Sequence, residues 1–189
     1  MEITVVFESM FGATHEVADA IAEGASEARP DATVTCLRTS DADPERVARS
    51  DLVVVGGPTH MRGMSSGMTR KMAVSMERKK EQEDGGHVGH GLEPDATGPG
   101  LRDWFHRLPK APKGTPAAAF DTRGEGTMMG GAAKGIAHRL ERHGYEVIVE
   151  PEGFLIEGED QLLRDGERTR ARAWAAALVR TTAGSGAAR

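Results

Sequence analysis

The chain has 189 residues and a formal net charge of −5, with 38% hydrophobic and 28% charged residues. This composition is typical of one globular domain, and the negative charge argues against nonspecific nucleic-acid binding. The single cysteine, Cys36, excludes an internal disulfide and favours a reducing compartment. The sequence shows no signal peptide and no apolar run near the ~20 residues of a membrane helix, so we expect a cytoplasmic protein without a membrane span.

Five short apolar runs predict the strands. They show no alternation of polar and apolar residues, which is typical of strands that are buried on both faces. The predicted strands are Ile3–Phe7, Thr33–Leu37, Leu52–Val55, Ala117–Phe120 and Tyr145–Val149.

Helical periodicity fills the gaps between these strands. Apolar stripes run from Val17 to Ala25, from Ala133 to Leu140 and from Ala171 to Val179, and Asp43-Pro44 is a typical helix start. A short helix over Leu101–Leu108 carries Trp104 and Phe105, which we expect to anchor it to the domain. Strands that alternate with helices predict an α/β fold: a doubly wound, five-stranded parallel sheet in a three-layer sandwich. The common strand order at this size is 2-1-3-4-5, in one domain over residues 1–180.

Three further segments have distinctive compositions. Methionines recur every four residues at Met64, Met68, Met72 and Met76, which predicts the core-facing side of a helix. Residues 77–100 begin with a charge run, Glu77–Glu81, that is typical of a solvated helix end, and then turn glycine-rich. We expect an irregular insert here, and a lid over a ligand or a partner-binding segment are the alternatives left open. The histidines of this insert, His87 and His90, lack suitable neighbours in register, and we predict no metal site. Residues 181–189 are predicted to be a disordered tail.

Three loops rich in Gly, Ser, Thr and Pro follow predicted strands: Ser9–Thr14, Gly56–Gly63 and Asp121–Gly131. Ligands of open α/β sheets bind beyond the carboxyl ends of the strands, where these loops meet. The first loop offers backbone amides, two hydroxyls and a helix N-terminus, which together suit a phosphate. It has neither the lysine of a Walker loop nor the glycine pattern of a dinucleotide fingerprint. The alternative is a plain turn that a Ser or Thr side chain caps.

The segment Ser9-Met10-Phe11-Gly12-Ala13-Thr14 resembles the phosphate loop of the flavodoxin family, in the form found in its menaquinone-dependent protoporphyrinogen oxidase branch. The segment Gly56-Gly57-Pro58-Thr59-His60 resembles the second flavin loop of that family. The segment Phe120-Asp121-Thr122-Arg123-Gly124 stands where the third loop belongs. The resemblance covers about residues 2–180, apart from the insert.

The resemblance implies one flavin mononucleotide (FMN), with its phosphate in the first loop and its ring between the second and third. The implied cofactor-binding residues are Ser9, Met10, Phe11, Gly12, Ala13, Thr14, Pro58, Thr59, His60, Met61, Arg62, Gly63, Asp121, Thr122, Arg123 and Gly124. The implied function is electron transfer or two-electron oxidoreduction. No catalytic residue is assigned, and His60 and Arg123 are the candidates for tuning the ring or orienting a substrate.

The sequence departs from the family pattern around the ring. Where flavodoxins usually place stacking aromatics, the second loop offers His60 and Met61 and the third offers no aromatic residue, so we expect weaker stacking; the two loops carry Arg62 and Arg123. A positive site favours the anionic reduced flavin and raises its potential, which suits a two-electron oxidoreductase with a quinone-like acceptor. The same departure leaves open a flavodoxin-fold binding or regulatory module that has lost flavin binding and catalysis.

Two other possibilities concern the fold class and the partners. A response-regulator receiver needs an acid cluster after the first strand, but only Glu8 stands there, and Gly56-Gly57-Pro58 follows the third strand in place of a phosphoacceptor. That interpretation is set aside. A redox partner or small-molecule acceptor is expected without being identified, and a homodimer is left open.

Overall fold

The computed structural model describes residues 1–60, 63–83, 92–93, 96–126, 131–158 and 161–186, and all structural statements below refer to these residues. The strands are β1 (Glu2–Phe7), β2 (Thr33–Arg38), β3 (Leu52–His60), β4 (Gly63–Met64), β5 (Thr115–Arg123), β6 (Tyr145–Val147), β7 (Glu152–Glu157) and β8 (Leu162–Leu163). The helices are α1 (Ala13–Ala28), α2 (Pro44–Val47), α3 (Gly67–Glu83), α4 (Leu101–Arg107), α5 (Ala132–Arg142) and α6 (Glu167–Gly186).

The sheet is mostly parallel, and its strands follow the order β2-β1-β3-β5-β7-β8. Both β6 and β7 pair with β5 in parallel, β6 near its start and β7 near its end. Together they occupy the fifth position, so the predicted order 2-1-3-4-5 is confirmed. The predicted strand Tyr145–Val149 is wrong at its end, because Pro151 has no N–H to donate and the ladder resumes only at Glu152. The short antiparallel strands β4 and β8 were not predicted.

Helices cover both faces of the sheet, as expected for three layers. Successive residues of the central strands alternate between two cores: Val53 and Val55 face α4 and α5, whereas Leu52 and Val54 face α1 and α6. Trp104 and Phe105 are almost fully buried and fix α4 to the first core, as predicted. Within the described residues, every helix is too short or too polar to cross a bilayer.

The structure corrects the prediction for the methionine stripe. Met68, Met72 and Met76 are 74%, 52% and 66% exposed, and Met64 lies on β4, outside the helix. Helix α3 buries Arg70 and Val74 instead, two residues out of step with the methionines. The rotation of α3 is set by Arg70, which reaches into a cluster of polar groups below the sheet edge.

Two predicted irregular segments begin later than expected. Helix α3 continues through the charge run to Glu83, because Glu, Lys, Arg and Gln are good helix formers on a solvated face. Helix α6 continues to Gly186, so residues 181–186 of the predicted disordered tail are helical. At the edge strand β2, Cys36 is partly exposed rather than buried. Burial and the neighbouring Asp19 still raise the pKa of its thiol to about 12, which keeps it unreactive.

Candidate functional site

The three predicted loops meet at the carboxyl edge of the sheet. Strands β3 and β5 run further than predicted, so that Pro58 and Thr122 pair across the ladder at this edge. Gly63 begins β4, which turns back along β3, and Gly124 directly follows β5. The predicted ligands Met61 and Arg62 lie outside the described residues, as does the side chain of His60.

The N-terminus of α1 is the open end of this site. Gly12 precedes the helix with a φ of 98°, a left-handed conformation that glycine adopts without strain. Its N–H donates to the Ser9 hydroxyl at 3.2 Å. Among the described residues, no side chain caps α1, and the first helical hydrogen bond runs from Glu16 to Gly12. The amides of the first turn are therefore available to an anion.

The predicted residues of the first loop divide into backbone and side-chain roles. The Met10 side chain is buried against Val74, so only its backbone can reach a ligand, while Phe11 is half-buried. The hydroxyls of Thr14 and Thr122 lie 2.7 Å apart and are both buried. This pair joins the first loop to the third, as a site shared by the two loops requires.

The N-terminus of α5 reaches the same edge, but its amides are already used. The Thr59 hydroxyl accepts from the Ala132 N–H at 2.9 Å and donates to the Asp121 carboxylate at 3.1 Å. That carboxylate also accepts from the Ala133 N–H at 2.9 Å. Burial raises the pKa of Asp121, and these hydrogen bonds, together with Arg123, act against the rise. Thr59 and Asp121 thus cap α5, whereas no described side chain caps α1.

Arg123 folds back from the edge. Its Nε lies 3.7 Å from Asp121 Oδ1, and its guanidinium rests on the backbone of Gly153, where a Cβ would come within 2.3 Å of it. The arginine therefore serves as counterion to a fully buried carboxylate. Its expected contact with a flavin ring stays a prediction.

A charged cluster that the sequence did not reveal lies beside the first loop. Arg38 donates to both oxygens of Glu93, at 2.8 and 2.6 Å, and His15 Nδ1 lies 2.9 Å from the same carboxylate. Burial alone raises the pKa of Glu93, but hydrogen bonds from Arg38, Ser9 and His15 outweigh it and lower the pKa to about 2. The Glu93 carboxylate, which belongs to the insert, is thus ionised and lies beside the phosphate loop. Of these residues, only Arg38 had a recognisable position in the sequence, because it directly follows a predicted strand.

A second cluster lies beneath the edge around Glu8. The Glu8 carboxylate accepts from the Ser65 hydroxyl and from the Leu101 N–H, the latter at 2.8 Å. Arg70 lies 3.8 Å from Glu8 and donates to Asp103 at 3.2 Å. Each of these groups already has a hydrogen-bond or ion-pair partner. The cluster therefore holds α3 and α4 against the end of β1 and leaves none of these side chains free to bind a ligand. The sequence signal was an acid directly after a buried strand.

Comparison with known proteins agrees with this geometry. The family model described as flavodoxin matches residues 5–174. Oxidised flavodoxin 1 from Bacillus cereus superposes with a TM-score of 0.63 at 16% identity, over 95% of this chain and 98% of that one. Two-electron reduced flavodoxin from Megasphaera elsdenii superposes with a TM-score of 0.53 at 21% identity, over 93% and 98%. The WrbA-like flavodoxin from Agrobacterium tumefaciens gives 0.54 at 18%, over 97% and 98%. No curated protein matches the sequence significantly.

The open terminus of α1 fits the phosphate of FMN, the cofactor of that family. An unpaired first turn after a left-handed glycine supplies neutral donors and a partial positive charge of about one half. The Thr14–Thr122 pair has two hydroxyl hydrogens and uses one internally, so one remains for a phosphate oxygen.

Proposed function

Because the chain belongs to the flavodoxin family, we propose that it is an FMN-dependent oxidoreductase that passes electrons in pairs to a small planar, quinone-like acceptor. FMN supplies the redox chemistry when it is bound, and the protein supplies position and local charge. The proposal is carried by one observation: the second and third loops, between which the ring would lie, contain no Phe, Trp or Tyr.

The chain has five phenylalanines, two tryptophans and one tyrosine, and all of them lie in the described residues. Only Phe11, in the first loop, stands at the carboxyl edge with exposed surface. The others are core residues or belong to α6: Phe7, Trp104, Phe105, Phe120, Tyr145, Phe154 and Trp174. A flavin ring between the second and third loops would have no aromatic cover from them. A planar acceptor could then approach its face to the 3–3.5 Å that a reacting pair of atoms needs, about the thickness of one stacked ring.

The charge around the third loop supports the same proposal. A carboxylate near the ring disfavours an anionic reduced flavin and lowers its potential. Both acids of the third loop have arginine partners, however: Asp121 with Arg123 at 3.7 Å, and Glu125 with Arg164 at 3.2 Å. Arg62 adds a positive charge to the second loop. The reduced form therefore meets little opposing charge, and we expect a potential at or above that of free FMN.

A binding module without flavin is the second candidate, and one contact favours it. The Ser9 hydroxyl helps to lower the pKa of Glu93, so an anion of the protein itself already lies beside the phosphate loop. The free first turn of α1 favours FMN instead, because no described side chain satisfies it. Titration of the purified apoprotein with FMN, followed by quenching of flavin fluorescence, separates the two. Saturation supports the oxidoreductase, and an unchanged signal at high protein concentration supports the module.

The experiment for the oxidoreductase is an anaerobic redox titration of the FMN-loaded protein. A two-electron couple gives a Nernst slope of about 30 mV per tenfold change, and a one-electron couple gives about 59 mV. We expect the smaller slope and faster reoxidation by benzoquinone than by ferricyanide, a one-electron acceptor. Arg62→Gln should lower the potential, whereas Arg46→Gln on α2 should not. A one-electron slope, or a potential well below that of free FMN, would refute the proposal.

A further inference from the structure

A pocket of about 250 Å³ lies at the edge of the sheet opposite the proposed flavin site. Helices α4 and α5 both begin at the carboxyl edge and end at this pocket, and the eleven residues of α5 alone span about 16 Å. We name this feature the distal basic pocket. Its lining consists of Phe105, His106, Lys110, Arg139, Arg142 and His143.

The distal basic pocket is a concentration of positive charge in a chain whose net charge is −5. It holds three permanent cations and two histidines, and no acid is among its lining residues. Elsewhere in the described chain, Arg38, Arg170 and Arg172 each have a carboxylate within 3 Å. No described carboxylate lies within 4.0 Å of a nitrogen of the three cations in the pocket. The nearby Glu141 faces His138 instead, at 3.8 Å.

Helix ends explain part of this arrangement. The C-termini of α4 and α5 carry partial negative charges, and Lys110 donates to the carbonyl of Arg142. Each helix end is equivalent to about half a negative charge, so two ends offset about one cation. At least two positive charges therefore remain without compensation.

The cations also act on one another. Burial lowers the pKa of Arg139, and the charges of Arg102 and Arg142 lower it further. Burial likewise lowers the pKa of His143, with Lys110 acting in the same direction and the carbonyl of Pro109 against it. Arg139 lies 5.9 Å from the centre of the Phe105 ring, a contact that a cation adopts on an apolar wall. An anion in the pocket would replace repulsion by attraction.

We propose that the distal basic pocket binds the phosphate group of a small molecule, at a site separate from the flavin. Two arginines present planar forks that match phosphate oxygens, and the lysine adds a point charge. Three cations around one small pocket suit a phosphate or diphosphate, whose charge is concentrated on a compact group. They suit a monocarboxylate less, since it carries a single charge, and a dicarboxylate such as succinate less, since its two charges lie far apart. The volume is below the ~300–1,000 Å³ of pockets that enclose drug-sized ligands, so it accommodates the anionic group and leaves the rest of a larger molecule outside.

Isothermal titration calorimetry of the FMN-loaded full chain tests this proposal, because FMN keeps added phosphate away from α1. Inorganic phosphate, pyrophosphate and succinate are titrated at constant ionic strength. We expect saturable binding of phosphate or pyrophosphate and at least tenfold weaker binding of succinate. A stronger response to pyrophosphate would identify a diphosphate group as the ligand, and an equal response would identify a monophosphate. No saturable binding, or equal affinity for succinate, would overturn the proposal.

Variants locate the binding. Arg142→Gln should weaken phosphate binding at least tenfold, because it removes a fork and keeps the backbone carbonyl that Lys110 uses. Arg46→Gln, on the surface helix α2, is the matched control and should bind as the wild type does. Thr14→Val, kept saturated with FMN so that α1 stays occupied, alters the phosphate loop and should leave the affinity of the distal basic pocket unchanged, which separates the result from any failure of FMN binding. Equal weakening by Arg46→Gln, or loss only in Thr14→Val, would refute the location.

Discussion

The ion-pair cluster at Glu93 makes a measurable contribution to stability that depends on pH. Glu93→Gln keeps the side-chain shape and removes the charge that Arg38 and His15 face. A pKa lowered from 4.5 to about 2 corresponds to about 3 kcal/mol in favour of the ionised form in the folded protein. The side chain of Glu93 is 13% exposed and those of its partners are more so, at 37% for His15 and 19% for Arg38. Solvent screening therefore reduces the expected loss in the variant to about 1–2 kcal/mol at pH 7.

The sign of the pH dependence follows from the lowered pKa. The folded state holds the carboxylate ionised at pH values where the unfolded chain is already protonated. The stabilisation is fully present above about pH 4.5 and is lost as the pH falls towards about 2. Urea unfolding of the wild type and the variant at pH 7, 4 and 3 should show a difference that shrinks over the last two points.

A surface ion pair provides the control for this experiment. Arg172 donates to both carboxylate oxygens of Glu27, from Nε and Nη2, yet the two side chains are about half exposed. We expect Glu27→Gln to cost far less stability than Glu93→Gln does, because solvent screens this exposed pair. An equal loss in both variants, or a loss at Glu93 that stays constant from pH 7 to pH 3, would refute the argument that burial and convergent donors make the Glu93 cluster different.

Three further predictions concern substitutions of single residues. Thr14→Val removes the hydroxyl that pairs with Thr122 and should weaken FMN binding about fivefold in a fluorescence titration, since one hydrogen bond contributes about 1 kcal/mol. Gly56→Ala places a Cβ 2.1 Å from the Phe120 ring and should lower the unfolding free energy by about 1–3 kcal/mol in urea. Met72→Gln should change stability by less than about 0.5 kcal/mol, because the side chain is exposed.

Each of these has an outcome that contradicts it. Thr122→Val should weaken FMN binding as Thr14→Val does, and an effect confined to one member would exclude a shared hydroxyl pair. Gly67→Ala meets nothing within 4 Å and should be neutral, so a loss equal to that of Gly56→Ala would disprove the ring contact. A loss of about 2 kcal/mol in Met72→Gln would restore the core-facing orientation of α3.

The parts of the fold that were predictable are those with a local signal. Runs such as Ile3–Phe7 are almost wholly apolar because both faces of a central strand are buried, and this is visible in five residues. The stripe from Val17 to Ala25 shows which side of α1 packs. The stripe of methionines on α3 showed only that the helix has an apolar side. It did not show that a buried arginine, paired with a carboxylate 62 positions earlier, turns that side outward.

The candidate site likewise combines residues that local sequence predicts with residues that it does not. The first loop could be located from neighbouring residues: Gly12 precedes α1 and Thr14 lies in its first turn, while their contact with a phosphate stays a prediction. The role of Asp121 depends on the amide of Ala133, twelve residues later, and that of Glu93 depends on Arg38, fifty-five residues earlier. Such partners are chosen by the fold, and no spacing rule identifies them.

The two proposed anion sites attract a phosphate through different groups, so we expect their affinities to depend differently on salt. At α1 the donors are neutral amides and hydroxyls, so a bound phosphate gains hydrogen bonds without pairing to a permanent cation. In the distal basic pocket the attraction comes from Lys110, Arg139 and Arg142, which are screened over a Debye length of about 10 Å at 0.1 M salt. Raising the salt concentration from 0.05 to 0.5 M should therefore weaken phosphate binding in the pocket strongly and FMN binding only slightly. Equal salt dependence at both sites would mean that FMN binding also relies on cations, with Arg62 and Arg38 the first to test.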